Sequence, residues 1–505
     1  MLASFVGAHV SAQTSSQWGD LRAGPFTVGF QVINRYDYSR TERTKSEFGG
    51  KPFRGERARP LQVWVWYPAQ RTNASSMPYG EYVGLATEAD TDRAQSPAEK
   101  AARQRSFWQR PPFASLPPDK IDGLMKWKTA ARKEAPHAAG QFPLLVFGQG
   151  YFFESPATHS VLCEYLASHG YIVAAVPYRG YPLRESFHNL VGLEQEVRDM
   201  EYVIAAMHGF PDLDPDRLGA VGFDYGGMAA LLLQMRNTDV DAVVGIDSGI
   251  MFRHNTAVLK QSPYYDVTNL RVPLMQITRP QAENGGDEDL SLFESAKYST
   301  TYLVRIRGMS HEDFTSYGMI SNEQLGDDPA QREKRMGYEL TCRYILNFLD
   351  AYLKRSEQSL AYLNNRSETN GAPPRFLSVE RRAARRAPPT ERQFVDILLS
   401  EGIGRARQVY RDVKSTDLAY VLFREETLNL LGYQFLQEKR IGEAIEVFKL
   451  NREAYPQSWN AYDSLGEAYM ISGDKEMAIR NYRKSLELNP QNTNAVEKLK
   501  KLLGG

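Results

Sequence analysis

The sequence predicts an α/β fold, a mostly parallel sheet covered by helices on both faces, followed by a smaller all-α domain. Three observations predict it. Near-continuous apolar runs alternate with amphipathic runs between residues 142 and 353, which is typical of buried parallel strands joined by helices. A glycine-flanked turn joins one such strand to a helix at residues 222–226. Near the C-terminus, signature residues recur at a spacing of 34, the period of a tetratricopeptide repeat.

Composition excludes several classes of function. The chain has 505 residues, enough for two or three domains. Its 61 Lys and Arg balance 61 Asp and Glu, so no overall field favours nucleic acid. No run reaches the roughly 18 apolar residues that span a bilayer, so we expect no membrane span. No cluster of His and Cys has the spacing of a zinc site, and we expect neither a metal nor another cofactor.

The N-terminal residues form a short apolar segment that ends in small side chains. Val10-Ser11-Ala12 precedes Gln13 in the manner of a signal-peptide cleavage site. We therefore expect residues 1–12 to be a truncated signal peptide and the mature protein to be periplasmic or secreted. A plain frayed terminus is the alternative.

Residues 13–355 are expected to form the α/β domain. Residues 61–67 alternate apolar and polar side chains and predict a strand. Residues 70–140 are polar and broken by two Pro-Pro pairs; because this stretch is too long for a plain loop, we expect a partly helical insertion. The strands predicted after it cover residues 142–147, 171–176, 217–221, 240–246, 272–277 and 301–306.

The turn at residues 222–226 is the most informative motif of the chain. Gly222-Phe223-Asp224-Tyr225-Gly226 stands between an apolar strand and a helix rich in small residues. This is the context of the nucleophile elbow G-x-S-x-G of an α/β-hydrolase fold, with aspartate in place of serine. The glycines are needed because the residue at an elbow has a strained backbone and its neighbours pack closely.

A histidine and an acid complete the expected site. His311 follows the last predicted strand, the usual place of the catalytic histidine on this fold, whereas packing or surface roles are expected for the other seven histidines. We favour Asp247 as the acid, because it ends a buried strand where a lone carboxylate needs a partner. The alternative acids lie in the next strand's loop and are Glu283, Asp287, Glu288 and Asp289.

The predicted oxyanion hole consists of two backbone N–H groups. One belongs to Tyr225, the residue after the nucleophile position, and the other lies in the loop at residues 148–151, where Tyr151 is favoured.

Five runs of the sequence together resemble the platelet-activating-factor acetylhydrolases, serine esterases related to the dienelactone hydrolases. The runs are residues 144–150, 166–176, 222–227, 245–247 and 306–314, within a resemblance that covers about 55–355. The resemblance implies Asp247 and His311 as the acid and base of a triad, and the amides of Tyr151 and Tyr225 as the oxyanion hole. Where that family has its serine, this chain has Asp224.

Aspartate at the elbow changes the chemistry that the site can support. A carboxylate that attacks an ester forms an anhydride and expels a stronger base, whereas attack on saturated carbon gives an alkyl ester that activated water can hydrolyse. The aromatic residues that bind the leaving group or cover the site could then be Tyr225 or Trp108, Phe113 and Trp127 of the insertion. The hypotheses are a hydrolase acting on a small ester or alkyl substrate, with Asp224 as nucleophile or as a replacement for serine; a ligand-binding pseudoenzyme; and a scaffold.

The C-terminal part is expected to bind other proteins. Residues 356–390 contain Pro-Pro, Asn-Asn and an arginine cluster and predict a linker. Residues 391–505 predict tetratricopeptide-type helical pairs, whose groove could hold a protein or peptide partner.

The two cysteines of the chain, Cys163 and Cys342, each lie in an apolar helix-like run of the α/β domain. Two buried thiols are expected, with a disulfide as the alternative.

Overall fold

The computed structural model describes ten stretches of the chain, and structural statements refer to these residues. They are 18–42, 45–46, 50–52, 54–87, 96–109, 116–150, 155–177, 189–280, 288–319 and 329–504. The expected signal segment, residues 1–12, lies outside them, as does Tyr151. Contacts divide the chain into two units, residues 1–385 and 386–505.

A single sheet organises the described part of the first unit. Its strands are β1 (Thr27–Thr41), β2 (Ala58–Ala69), β3 (Ala131–Lys133), β4 (Phe142–Gly148), β5 (Ile172–Ala175), β6 (Leu213–Phe223), β7 (Ala242–Ile246), β8 (Leu274–Thr278), β9 (Thr301–Ile306) and β10 (Leu377–Arg382). They lie in the order β10-β9-β8-β7-β6-β4-β5-β2-β1-β3. The six strands β4 to β9 are mutually parallel, whereas β2 and β10 join them antiparallel. The carboxyl ends of the parallel strands therefore meet at one edge.

Helices cover both faces of the sheet. Those of the first unit are α1 (Tyr79–Thr87), α2 (Pro97–Trp108), α3 (Pro118–Lys126), α4 (Ser160–Ser168), α5 (Leu190–Ala206), α6 (Tyr225–Arg236), α7 (Arg253–Leu259), α8 (Ser291–Ser295), α9 (Pro329–Leu353) and α10 (Glu357–Asn364). Alternate residues of β4 enter different cores: Leu145 packs with α4 and α9, and Leu144 packs with α5 and α6. The predicted fold class, a mostly parallel sheet between helices, is confirmed.

The expected insertion and the expected linker both contain ordered elements. Residues 70–140 hold α1, α2, α3 and the short strand β3, which pairs with β1. Residues 356–390, expected to be a linker, instead contain α10 and β10, and β10 pairs with β9 at the edge of the sheet. This strand is inconspicuous in the sequence because four of its six side chains are polar, as edge strands tolerate.

The second unit is a series of helices. They are α11 (Glu391–Glu401), α12 (Ile403–Thr416), α13 (Glu425–Gln437), α14 (Ile441–Ala454), α15 (Trp459–Ser472), α16 (Lys475–Leu488) and α17 (Thr493–Leu503). Gly473 ends α15 in the left-handed conformation, with φ 87°. Gly432 and Gly466, 34 residues apart, face the rings of Phe448 and Tyr482.

Two smaller expectations also have a structural outcome. Cys163 and Cys342 are buried and not bonded to each other. Among the described helices, none combines the length and apolar character that crossing a membrane requires.

Candidate active site

Asp224 is the single residue between the end of β6 at Phe223 and the start of α6 at Tyr225. Its backbone has φ 48° and ψ −115°, a conformation that costs a non-glycine residue about 1–3 kcal/mol. The surrounding backbone holds it there: its N–H donates to the carbonyl of Ile246 at 3.0 Å, and its carbonyl accepts from Gly227 at 3.2 Å and Gly249 at 3.1 Å. The residue therefore has the sharp strand-to-helix turn expected of an elbow.

The glycines around Asp224 allow three backbone segments to meet. A Cβ on Gly222 would lie 2.1 Å from the carbonyl oxygen of Gly226. A Cβ on Gly226 would lie 2.2 Å from the carbonyl carbon of Gly148, at the end of β4. No real Cβ approaches so closely, so the loop that follows β4 can pack against the elbow only because these residues are glycines.

The structure brings together His311 and Asp247, the predicted base and acid. Asp247 follows β7 and His311 follows β9. The imidazole Nδ1 lies 2.6 Å from the Asp247 Oδ2, and Thr278 donates its hydroxyl to Oδ1 at 2.7 Å. Asp247 is fully buried, whereas a third of the His311 side chain is exposed. Because Asp247 engages Nδ1, the other ring nitrogen, Nε2, is the one suited to proton exchange.

The polar neighbours of Asp247 keep it ionised. Burial raises the pKa of this carboxyl. The hydrogen bond of His311, its charge in the acidic range where the carboxyl titrates, the charge of Arg279 and the hydroxyl of Thr278 outweigh burial and hold the pKa below its usual value. Arg279 contacts Oδ2 through Nη2 at 3.0 Å and Nε at 3.1 Å. The carboxylate is thus an acceptor for both His311 and Arg279.

An aromatic contact places His311 beside the elbow. The imidazole stacks on the ring of Phe223, with centroids 4.6 Å apart and planes at 27°. Phe223 immediately precedes Asp224. The strand order also places Asp224 and Asp247 at the ends of neighbouring strands. Phe223 and Ile246 are the paired last residues of β6 and β7, and they immediately precede Asp224 and Asp247. All three predicted side chains therefore come from one edge of the sheet.

A buried carboxyl on α5 supports the loop after β4. Glu196 accepts a hydrogen bond from the backbone N–H of Gln149. Burial, followed by the charges of Asp199 and Asp224, raises the pKa of Glu196 well above its usual value. Asp199 is itself paired with Arg59, at 2.6 Å. Burial thus favours the uncharged form of Glu196, and the N–H of Gln149 faces this carboxyl.

The ring and the backbone N–H of Tyr225 have different surroundings. Its N–H lies at the start of α6, where the helix dipole favours negative charge. The phenol is buried and donates to the carbonyl of Asn189. Of the insertion aromatics, Trp108 is buried in the core near Tyr79 and Trp127 packs against the same core; Phe113 lies outside the described residues.

The alternative acids lie elsewhere. Glu288 pairs with Arg305 at 3.1 Å, and Asp289 accepts from the Thr256 hydroxyl at 2.9 Å. Glu283 and Asp287 lie outside the described residues. Sequence reasoning missed Arg279 and Glu196. A signal for Arg279 was present, since it follows the end of a strand that neighbours the Asp247 strand in a parallel sheet.

Comparisons with known proteins identify a repeat in the helical unit. The tetratricopeptide repeat family model matches residues 459–492. A search of the curated proteins finds no match. Among solved structures, the chain is similar to a ferulic acid esterase from Streptomyces cinnamoneus, with 20% identity and a TM-score of 0.48, over 71% of this chain and 97% of that one. At this identity the likeness is one of fold and says nothing about Asp224.

Proposed function

We propose that the chain is a hydrolase with an esterase-type site, in which Asp224 is the nucleophile and His311, held by Asp247, is the general base. The observation that carries the proposal is the 2.6 Å hydrogen bond between His311 and Asp247, on an imidazole that stacks on the residue preceding Asp224. A base oriented by a buried carboxylate beside an elbow residue is the arrangement that covalent hydrolysis requires.

The chemistry of a carboxylate selects the substrate. An Asp224 oxygen attacks a saturated carbon; the new C–O bond forms as the bond to the leaving group breaks, and the leaving group takes the electron pair. His311 then removes a proton from water as the water oxygen attacks the carbonyl carbon of the resulting aspartyl ester. Collapse releases an alcohol, which takes the proton back from His311, and leaves Asp224 as a carboxylic acid with one oxygen from water. That acid loses the second water proton to solvent, or to the alkoxide of an opened epoxide, and the carboxylate is restored.

Backbone amides stabilise the intermediate of the second step. The tetrahedral intermediate carries its negative charge on the former carbonyl oxygen of Asp224. We assign the N–H of Tyr225, and as its partner the N–H of Tyr151, to that oxygen. Because the N–H of Gln149 is bonded to Glu196, the second donor has to come from further along the same loop.

A second candidate is a ligand-binding site without turnover. It is favoured by one observation: the Tyr225 phenol donates to Asn189 and is directed away from the role of a leaving-group donor. The carboxylate of Asp224 would then occupy the oxyanion hole itself, imitating the charge that such a hole holds.

Isotope incorporation separates the two candidates. The protein, in molar excess over 1-iodohexane or styrene oxide, is incubated with that compound in heavy-oxygen water. The peptide containing Asp224 is then analysed by mass spectrometry. One heavy oxygen in Asp224 is expected after a single turnover. His311→Gln should accumulate the alkylated peptide, because the ester forms but is not hydrolysed. Product without label in Asp224 would rule out the covalent route, and no product with either compound favours the binding role.

The serine variant tests whether the remainder of the site is of the esterase type. Asp224→Ser should hydrolyse 4-nitrophenyl acetate at least about a hundredfold faster than the wild type, the usual contribution of a positioned base. The double variant Asp224→Ser with His311→Gln is the control and should lose that gain. An equal rate in all three proteins would show that the site lacks a working acid–base pair.

We further propose that the helical unit binds a protein or peptide partner, on the strength of the repeat match at residues 459–492. A partner retained by the full chain and lost after truncation at Arg385 supports this role. Equal retention by both proteins assigns binding to the first unit.

A further inference from the structure

One carboxylate oxygen of Asp247, Oδ2, accepts hydrogen bonds from two basic side chains. The His311 Nδ1 lies 2.6 Å from Oδ2, and the Arg279 Nη2 lies 3.0 Å from it. The carboxylate is completely buried, and only 17% of the Arg279 side chain is exposed. Little solvent therefore screens the attraction between the guanidinium and the carboxylate.

This arrangement matters because a general base has to be uncharged. An ionised carboxylate beside an imidazole favours the protonated imidazolium, typically by about 1–3 pH units at contact distance. An imidazolium has no lone pair with which to take a proton from water. A guanidinium remains charged at every working pH and offsets the carboxylate, so an Arg–Asp pair orients the imidazole without adding net charge.

The other charged groups around His311 increase the need for an offset. Asp224, at the β6–α6 turn, is a second carboxylate at the same edge. Glu312 and Asp313 follow His311 directly, and Asp313 is paired with Lys334 of α9 at 3.2 Å. Burial raises the pKa of Glu196 of α5 well above its usual value, which disfavours a further negative charge there. Among the described residues, Arg279 is the permanently charged basic residue that contacts Asp247.

We propose that Arg279 is a positioning residue for His311: it offsets the charge of Asp247 and so keeps the imidazole neutral and able to accept a proton. The inference rests on the proposed function in taking His311 as the base. Its effect passes through Asp247, since Arg279 contacts the same carboxylate oxygen that holds the imidazole.

Direct titration of His311 tests the proposal. The full chain is labelled with histidine carrying carbon-13 at Cε1, the His311 signal is assigned by its loss in His311→Gln, and its midpoint is followed by NMR. Arg279→Gln keeps a hydrogen-bond donor but removes the charge, and should raise the midpoint by about 1 pH unit or more. Arg279→Lys restores a charge and should return it close to the wild-type value.

Arg305→Met is the matched control. Arg305 lies opposite Thr278 in the register of β8 and β9 and pairs with Glu288, so this variant removes one positive charge from the neighbouring strand without touching Asp247. Its His311 midpoint should stay within about 0.3 pH units of the wild type, as expected for a distant screened charge. An unchanged or lowered midpoint in Arg279→Gln, or an equal rise in Arg305→Met, overturns the proposal.

The titration requires no turnover, so its outcome is independent of the proposed reaction. A raised midpoint in a protein that hydrolyses nothing supports the role of Arg279 and refutes the proposed activity. In an active protein, Arg279→Gln should also move the acidic limb of the pH dependence of kcat to higher pH, by the same number of pH units. A loss of packing alone would not shift this limb. Should Arg279→Gln not fold, Arg279→Met is titrated in its place with the same expectation.

Discussion

The backbone N–H of Gln149 donates a hydrogen bond to the buried carboxyl of Glu196, and this bond ties the loop after β4 to helix α5. The loop also lies in backbone contact with the elbow, since Gly148 packs directly against Gly226. The carboxyl of Glu196 and two glycines thus hold the end of β4 beside the elbow.

Replacing Glu196 with glutamine should remove a pH dependence of stability. The pKa of Glu196 is raised by burial and then by Asp199 and Asp224, so its contribution is fully present below about pH 4.3, its unfolded value, and is lost as the pH rises through its folded value. The stability of Glu196→Gln relative to the wild type should therefore increase as the pH rises from 5 to 8.

Urea unfolding of both proteins at pH 5 and at pH 8 measures that gain in stability. Glu194→Gln, on the same helix but only partly buried and paired with Arg236, is the control. The idea fails if the Glu196→Gln and wild-type curves keep a constant separation from pH 5 to 8.

Asp247→Asn should show the opposite trend with pH. The pKa of Asp247 is lowered overall, because its contacts with His311, Arg279 and Thr278 outweigh burial. Its stabilisation is present above about pH 4, the unfolded value, and disappears as the pH falls through the folded value. The variant should lose about 3–5 kcal/mol at pH 7, the usual cost of breaking a buried pair, and progressively less below pH 4. Unfolding at pH 7 and 3.5 measures both; a loss that is equal at the two values would contradict the assignment.

Gly226→Ala should damage the elbow. The new Cβ would lie 2.2 Å from the carbonyl carbon of Gly148 and 2.5 Å from the carbonyl oxygen of Gln149, and backbone atoms cannot rotate away. We expect a loss of about 1–3 kcal/mol or more. Gly123→Ala on α3 is the control, because a Cβ there meets nothing within 4 Å and helix propensity predicts a gain of up to about 1 kcal/mol. Thermal unfolding of both variants suffices, and similar midpoints would refute the steric argument.

Two equivalent glycines of the repeats should respond differently to alanine. A Cβ on Gly432 would lie 2.5 Å from the ring of Phe448, whereas a Cβ on Gly466 would lie 3.1 Å from the ring of Tyr482. Alanine gains about 1 kcal/mol of helix propensity at either position. We expect Gly466→Ala to be near neutral and Gly432→Ala to lose about 1–3 kcal/mol through overpacking. Urea unfolding followed by circular dichroism compares them, and an equal effect would mean that the two helical pairs pack alike.

The sequence by itself determined the fold class, and it named Asp224, Asp247 and His311. Local patterns carry this information: apolar runs define buried strands, a glycine-flanked turn defines the elbow, and a 34-residue spacing defines the repeat. The resemblance suggested the acid and base because their positions after particular strands are features of the chain order. No pattern indicated that residues 377–382 join the sheet, since an edge strand needs few apolar side chains.

Only the tertiary structure decided which partners surround the site. Thr278 and Arg279, at the end of the strand next to β7, contact Asp247. Glu196 of α5 contacts Gln149 of the loop after β4, although the two residues are 47 positions apart in the chain. The sequence also left open where the Tyr225 ring points, and the structure directs it to Asn189. Such contacts depend on strand order, register and side-chain direction. These are properties of the assembled sheet, and they cannot be read from spacing along the chain.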